Sequence, residues 1–154
     1  SPSCIILSRQ NLPILENSSS YDGVKNGAYI VSKEEKEPDI VLIGTGSEVS
    51  LCLEAKELLK DELDIRVVSM PCFELFDSTS KEYKESVLTK FYNRRISVEM
   101  ASTFGWGKYA RFNFGIDRFG ASGKASDVVK KYHFTANDLK EYILSCVKEL
   151  KEEN

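Results

Sequence analysis

The segment Asp39–Ser50, reading DIVLIGTGSEVS, holds the first residues of this chain whose types and spacing suggest chemistry. Gly44 and Gly46 permit tight backbone geometry, and Thr45 with Glu48 fits the S/T-x-x-E capping box of a helix start. Such a turn aims unpaired N–H groups outward, so Thr45, Gly46 and Ser47 form a candidate weak anion site. Val49 stands where a dinucleotide-binding G-x-G-x-x-G has its third glycine, and no G-K-[ST] ending follows. Glu48 also places negative charge in the first helical turn, and neither Lys nor Arg occurs between Asp39 and Ala55. Anion binding at this turn is therefore expected to be millimolar at best.

Other candidates are thinner. Gly120-Ala-Ser-Gly123-Lys124 looks like part of a phosphate loop but misses the G-x-x-x-x-G-K-[ST] spacing. His133 is the single histidine, in KKYHF, and a general base needs a partner that the sequence does not nominate; a helix-end or surface role is expected. Glu99 closes an apolar segment at the kind of strand end where α/β proteins place ligands. Asp117 and Arg118 are expected on a strand, in structural ion pairs. Trp106, Tyr109, Phe112, Phe114 and Phe119 form an aromatic-rich stretch suited to core packing or a subunit contact.

Composition narrows the classes. The 154 residues suit one domain, and 42% hydrophobic with 29% charged residues describes an ordinary globular chain. A net charge of −3 argues against a nucleic-acid footprint, and no apolar run is long enough to span a bilayer. The N-terminus SPSCIILSRQ has no basic region before its apolar run and is not read as a signal peptide. Cys4, Cys52, Cys72 and Cys146 lie far apart with no C-x-x-C pair, which excludes zinc spacing and favours buried free thiols in an intracellular, reducing compartment.

The elements that must position these residues follow from periodicity. Cys4–Ser8 and Ala28–Ser32 read as strands, separated by the polar stretch Glu16–Asn26. Ile40–Ile43 is an apolar run suited to a strand covered on both faces. Too few residues join it to Ala28–Ser32 for a crossover helix, so those two strands are expected to be antiparallel. A helix is expected over Ser47–Asp61 with a stripe of Leu51, Ala55, Leu58 and Leu59, then a strand over Ile65–Met70 ended by Pro71. Ser80–Leu88 reads as a helix, Ile96–Met100 as a strand, Gly105–Phe112 as a short helical stretch and Gly115–Phe119 as the last strand. Thr135 with Asp138 caps a final helix striped by Leu139, Tyr142, Ile143, Cys146, Val147 and Leu150. The alternation predicts a three-layer α/β/α sandwich whose mostly parallel mixed sheet has about five strands, one of them antiparallel.

Several of these segments resemble the C-terminal part of transketolase. They are LSRQNLP at Leu7–Pro13, PDIVLIGTGSEVSL at Pro38–Leu51, VVSMPCFELFD at Val67–Asp77, STFGWGKY at Ser102–Tyr109 and FGIDRFGASGKASDV at Phe114–Val128. The resemblance runs in order along nearly the whole chain, departing at Leu88–Arg95, where a proline usually follows the leucine and a changed surface loop is expected. It implies a homodimeric enzyme that transfers a two-carbon ketol unit between sugar phosphates in the pentose phosphate pathway, with thiamine diphosphate and magnesium. The resemblance places the cofactor ligands in two preceding domains, so this chain would carry no catalytic, cofactor or metal residue. Residues 1–26 would be the end of the middle domain and the linker, and residues 27–154 the C-terminal α/β domain.

The resemblance also implies that Arg9, in the S-R-Q motif, binds the sugar phosphate, for which a guanidinium fork is well shaped. The implied partners are the cofactor-binding domains of the same enzyme, a second subunit and the sugar phosphate, with no nucleic acid and no membrane, in the cytoplasm. The competing readings are a related thiamine-dependent enzyme, such as dihydroxyacetone synthase or deoxyxylulose phosphate synthase, and a stand-alone anion-sensing module built on the Thr45–Ser47 turn.

Overall fold

The computed structural model describes residues 2–8, 10–16, 18 and 21–153. Its centre is β2 (Ile40–Gly44), where every residue is buried. Ile40 and Leu42 enter one apolar layer, while Val41 and Ile43 enter the other. Strand alternation thus feeds two cores from one segment, which is why the run reads as uninterrupted apolar sequence.

Three further strands and one reversed strand complete a single sheet. β1 (Tyr29–Ser32), β3 (Ile65–Ser69), β4 (Arg95–Glu99) and β5 (Phe112–Gly115) take the order β1-β3-β2-β4-β5. β2 pairs in parallel with β3 and β4, and β4 with β5, whereas β1 is antiparallel to β3. The expected reversed strand is present, and its ladder partner is β3 rather than β2.

Helices cover both faces. A short α1 (Tyr21–Val24) precedes β1, and α2 (Glu48–Leu58) follows β2. α2 and the long α6 (Ala136–Glu152) close one face through Val49, Cys52, Ala55, Leu139, Ile143 and Cys146. α3 (Phe73–Asp77) and α4 (Lys81–Leu88) close the other, with Phe76, Val87 and Leu88 packed near Trp106 and Tyr109. α5 (Ala125–Lys131) leads into α6. The α6 start matches its sequence signature: Asp138 N donates to Thr135 Oγ1 at 3.2 Å, and Thr135 N donates to Asp138 Oδ2 at 3.0 Å.

Several local expectations are corrected. Cys4–Ser8 forms no strand, because no ladder partner exists among the described residues, and Ile6 stands 91% exposed. The buried stripe of α2 is Val49, Cys52, Ala55 and then Leu59 at its C-cap, while Leu58 faces water. The helical stretch at Gly105–Phe112 shrinks to one 3-10 turn over Trp106–Lys108. The last strand is Phe112–Gly115, not Gly115–Phe119, since Phe112 and Phe114 supply the alternation that packs against the α6 side. Asp117 and Arg118 therefore lie beyond the strand. Cys52 and Cys146 are buried free thiols as expected, and burial pushes both thiols upward.

A close crossing fixes where β1 begins. Gly27 has φ +77°, and a Cβ there would collide with the Cys72 carbonyl oxygen and the Phe76 backbone nitrogen. Gly27→Ala should therefore cost about 3 kcal/mol or more, with backbone strain and overlap acting together. Gly105→Ala, at φ +89° with nothing within 4 Å, should cost only about 1 kcal/mol. Urea denaturation of both variants measures the contrast, and equal midpoints would refute it.

Candidate functional site

The sheet order places a reversal of winding between β2 and β4: the chain leaves β2 for β3 on one side and returns to β4 on the other. Ligands in open α/β sheets sit at such a point, outside the carboxyl ends of the strands. A cavity of about 800 Å³ opens here, bounded by Thr45–Glu48, Met70–Glu74, Glu99–Ser102 and part of the N-terminal segment.

Its turn differs in detail from the sequence expectation. Gly46 adopts φ +54°, and Ser47 rather than Thr45 is the residue preceding α2. Glu48 N donates to the Thr45 carbonyl at 3.1 Å, and Ser47 Oγ donates to Glu48 Oε1 at 3.0 Å. No Thr45–Glu48 capping box forms, because the left-handed Gly46 shifts the helix entry past Thr45. Thr45, Gly46 and Ser47 all line the cavity.

Carboxylates dominate the electrostatics. Glu48 is only 6% exposed, and burial raises its carboxyl above the usual range despite hydrogen bonds from Ser47 and the Met100 backbone. Glu99, at the end of β4, is pushed up to about 7, first by burial and then by the charge of Glu48. Glu74 lines the same space, and among the described residues no Lys or Arg does. Chemically this is a cleft in which one carboxyl holds or releases a proton near neutrality. The sequence marks Glu99 by its strand end and Glu48 by its helix turn. Only the strand order, with β4 beside β2, brings them together.

The remaining sequence candidates disperse. Arg9 lies outside the described residues; its motif neighbours Leu7, Ser8 and Gln10 line the cavity. His133 is a surface residue at the junction of α5 and α6, with Nδ1 3.5 Å from Asp138 Oδ1. Asp117 makes hydrogen bonds rather than an ion pair: it accepts from Ser102 Oγ (2.9 Å), Thr103 N (2.8 Å) and Thr103 Oγ1 (2.7 Å), which hold its carboxyl low. Arg118 instead stacks over the Tyr132 ring at 4.5 Å. The aromatic stretch divides. Trp106 and Tyr109 pack on Phe73, with centroids 4.9 and 4.8 Å away, whereas Phe119 stands 98% exposed.

Comparison with known proteins decides the family. The family described as Transketolase-like TK C-terminal domain matches residues 27–135. The chain belongs to that family. It is 45% identical over 141 residues to the transketolase of Bacillus subtilis, covering 87% of this chain and 21% of that protein. It is 45% identical over 148 residues to transketolase 1 of Candida albicans, covering 96% and 21%. A solved transketolase of Pichia stipitis, in complex with sedoheptulose 7-phosphate, superposes with a TM-score of 0.87 at 43% identity, covering 94% of this chain and 21% of that one. The chain thus spans about a fifth of the length of these transketolases.

That family implies thiamine diphosphate and a divalent metal. Among the described residues, no group of three or more His, Cys, Asp or Glu could hold a metal ion. Among the described residues, the carboxylate-lined cleft also offers no Lys or Arg to a diphosphate. The described residues fit neither group.

The acid pair makes stability depend on pH. Glu99 has a folded-state pKa raised above its unfolded value, so between the two the folded chain binds more protons and stability falls as pH rises. Glu99→Gln removes this penalty and should gain on the order of 2 kcal/mol relative to wild type at pH 8, with little difference at pH 5. Denaturation of both proteins across that range tests it; parallel pH profiles would count against it.

Proposed function

We propose that this chain is the C-terminal module of a transketolase, an enzyme that transfers a two-carbon ketol unit between sugar phosphates. The observation that carries this reading is the family match across residues 27–135. In this reading residues 1–26 are the end of the middle domain and the linker, and residues 27–154 form the module. The Cys4–Ser8 segment becomes a strand only beside the sheet of that preceding domain. Thiamine diphosphate and magnesium are held by the preceding domains, and the module contributes structure and dimer surface to a cytoplasmic homodimer of the pentose phosphate pathway. No helix among the described residues is long and apolar enough to cross a membrane, which is compatible with that setting.

Arg9 is the one substrate contact assigned to this chain. Its motif neighbours border the cavity at the sheet's carboxyl edge, so a phosphate held by Arg9 would approach from that side. The Thr45–Ser47 turn is assigned at most weak anion binding, because Glu48, Glu74 and Glu99 share its space and repel a second negative charge.

Two experiments test the reading. The 154-residue chain, supplied with thiamine diphosphate, magnesium and sugar phosphates, should show no ketol transfer above a buffer control; measurable transfer would overturn the assignment. In the full-length enzyme, Arg9→Ala should remove a charge-assisted pair of about 1.5–3 kcal/mol, raising KM for phosphorylated acceptors roughly 10- to 100-fold. Thiamine diphosphate affinity should stay unchanged. Equal kinetics on ribose 5-phosphate would exclude Arg9 from the substrate site.

A further inference from the structure

At the opposite end of β4 from Glu99 the charge balance inverts. A second cavity of about 340 Å³ lies between α4 and the Trp106–Ala110 segment, lined by Lys81, Lys84, Arg95 and Lys108 against Asp77 and Glu85. Lys81, Lys84, Glu85 and Leu88 fall on one face of α4 at helical spacing, so α4 presents two ammonium groups to the space. Within a chain of net charge −3, this concentration of cations is unusual.

The two carboxylates pair with two of the four cations and leave Lys84 and Arg95. Asp77 Oδ2 accepts from Lys108 Nζ at 2.6 Å and from Tyr109 Oη at 2.9 Å. Glu85 pairs with Lys81 at 3.7 Å on the surface. The hydrogen bonds of Lys84 and Arg95 go to carbonyls, and the Arg95 guanidinium also lies over the Tyr92 ring at 5.6 Å. Lys84 Nζ donates to the Asp77 carbonyl at 2.6 Å. Arg95 donates through Nε to Leu88 O (3.0 Å), through Nη1 to Tyr109 O (3.3 Å) and through Nη2 to Thr89 O (2.6 Å). A guanidinium has five N–H groups, so two remain after these bonds. Burial pulls the Arg95 guanidinium below its ordinary value, outweighing the opposing charge of Glu85.

We propose that this cavity binds a small phosphate-bearing anion, with Arg95 and Lys84 as its principal donors and Lys81 as an outer cation. The three carbonyls fix the Arg95 fork in place, so its remaining N–H groups are held without the entropy cost of a free side chain. Tyr109 and Leu88 supply apolar wall beside the charged end, which suits a phosphate carried on a flat or apolar body. The site is separate from the Thr45–Ser47 turn. Arg95 and Glu99 begin and end the same strand, four residue steps or roughly 13 Å apart.

Amide chemical-shift titration of the 154-residue chain tests this, with inorganic phosphate, adenosine monophosphate and adenosine as separate probes at fixed ionic strength. Saturable shifts centred on residues 81–88, 95 and 108–109 are expected with the two phosphate-bearing probes, with affinity of roughly millimolar or tighter. Lys84→Gln should weaken binding about tenfold, and Lys84→Arg, which keeps the charge, should restore it. Trp106 fluorescence confirms that each variant is folded. The proposal is overturned by non-saturating shifts, by shifts confined to residues 45–48, by adenosine binding as tightly as its monophosphate, or by unchanged affinity in folded Lys84→Gln.

Discussion

Everything in this domain is hung on the burial of β2 from both faces and both edges. A strand in that position spends all its backbone groups on ladders to β3 and β4 and all its side chains on two separate cores. Its end must then turn immediately, because helix α2 lies directly over it. Gly44 meets this demand: a Cβ there would lie 3.2 Å from the Glu48 carbonyl carbon and the Val49 nitrogen, and 3.3 Å from Cys52 Sγ. The cleft is a consequence of the same constraint. With β2 central, the chain must wind to one side for β3 and to the other for β4, and the two connections diverge at the carboxyl edge.

Polar groups inside the layers are handled by saturation. Arg66 on β3 points into the face covered by α4, an apolar neighbourhood that would reject an isolated charge. Its guanidinium pairs with Glu34, with Nε 2.7 Å from Oε2, and donates through Nη1 to the carbonyls of Ser86 and Val87 at 2.7 and 2.9 Å. Both side chains are almost fully buried. The pair's net contribution to stability is small once desolvation is counted, but removing either partner would strand the other. Its structural effect is to tie the loop after β1 and the carboxyl end of α4 to one central strand. The carboxyl end of a helix is also where a cation is favoured by the dipole.

Much of this was legible in the chain, for identifiable reasons. β2, β3, β4 and α6 carry continuous apolar runs or a full helical stripe with a capping box, signals set by local residues alone. The cleft's two glutamates were each visible, one at a strand end and one in a helix's first turn. Their juxtaposition was not, because it depends on β4 returning beside β2. The departures from local expectation share a cause of the same kind. Cys4–Ser8 has strand composition but no partner among the described residues, and a strand is a property of pairs. Phe112–Gly115 is short and follows two glycines, so its alternation was overshadowed by the helical appearance of the preceding aromatics. Glu34 and Arg66 lie 32 residues apart, and nothing local announces their contact.

The distribution of exposed apolar side chains bears on how such a module is used. Ile6 and Phe119 are almost wholly in water, and Phe104 is 93% exposed. Scattered single apolar residues are ordinary on a protein surface, but these belong to segments that border adjoining cavities. The N-terminal segment lines the acidic cleft, and Met100–Ser102 line both that cleft and the neighbouring cavity beside Phe119. Meanwhile the two internal cores are closed, with every large side chain of β2 and β3 covered. The most exposed of these side chains thus belong to segments at the carboxyl edge of the sheet. A free-standing domain gains nothing from exposing aromatic rings there and loses solubility. The chain spans about a fifth of the length of its transketolase relatives, and its two closed cores lie beside an open apolar edge.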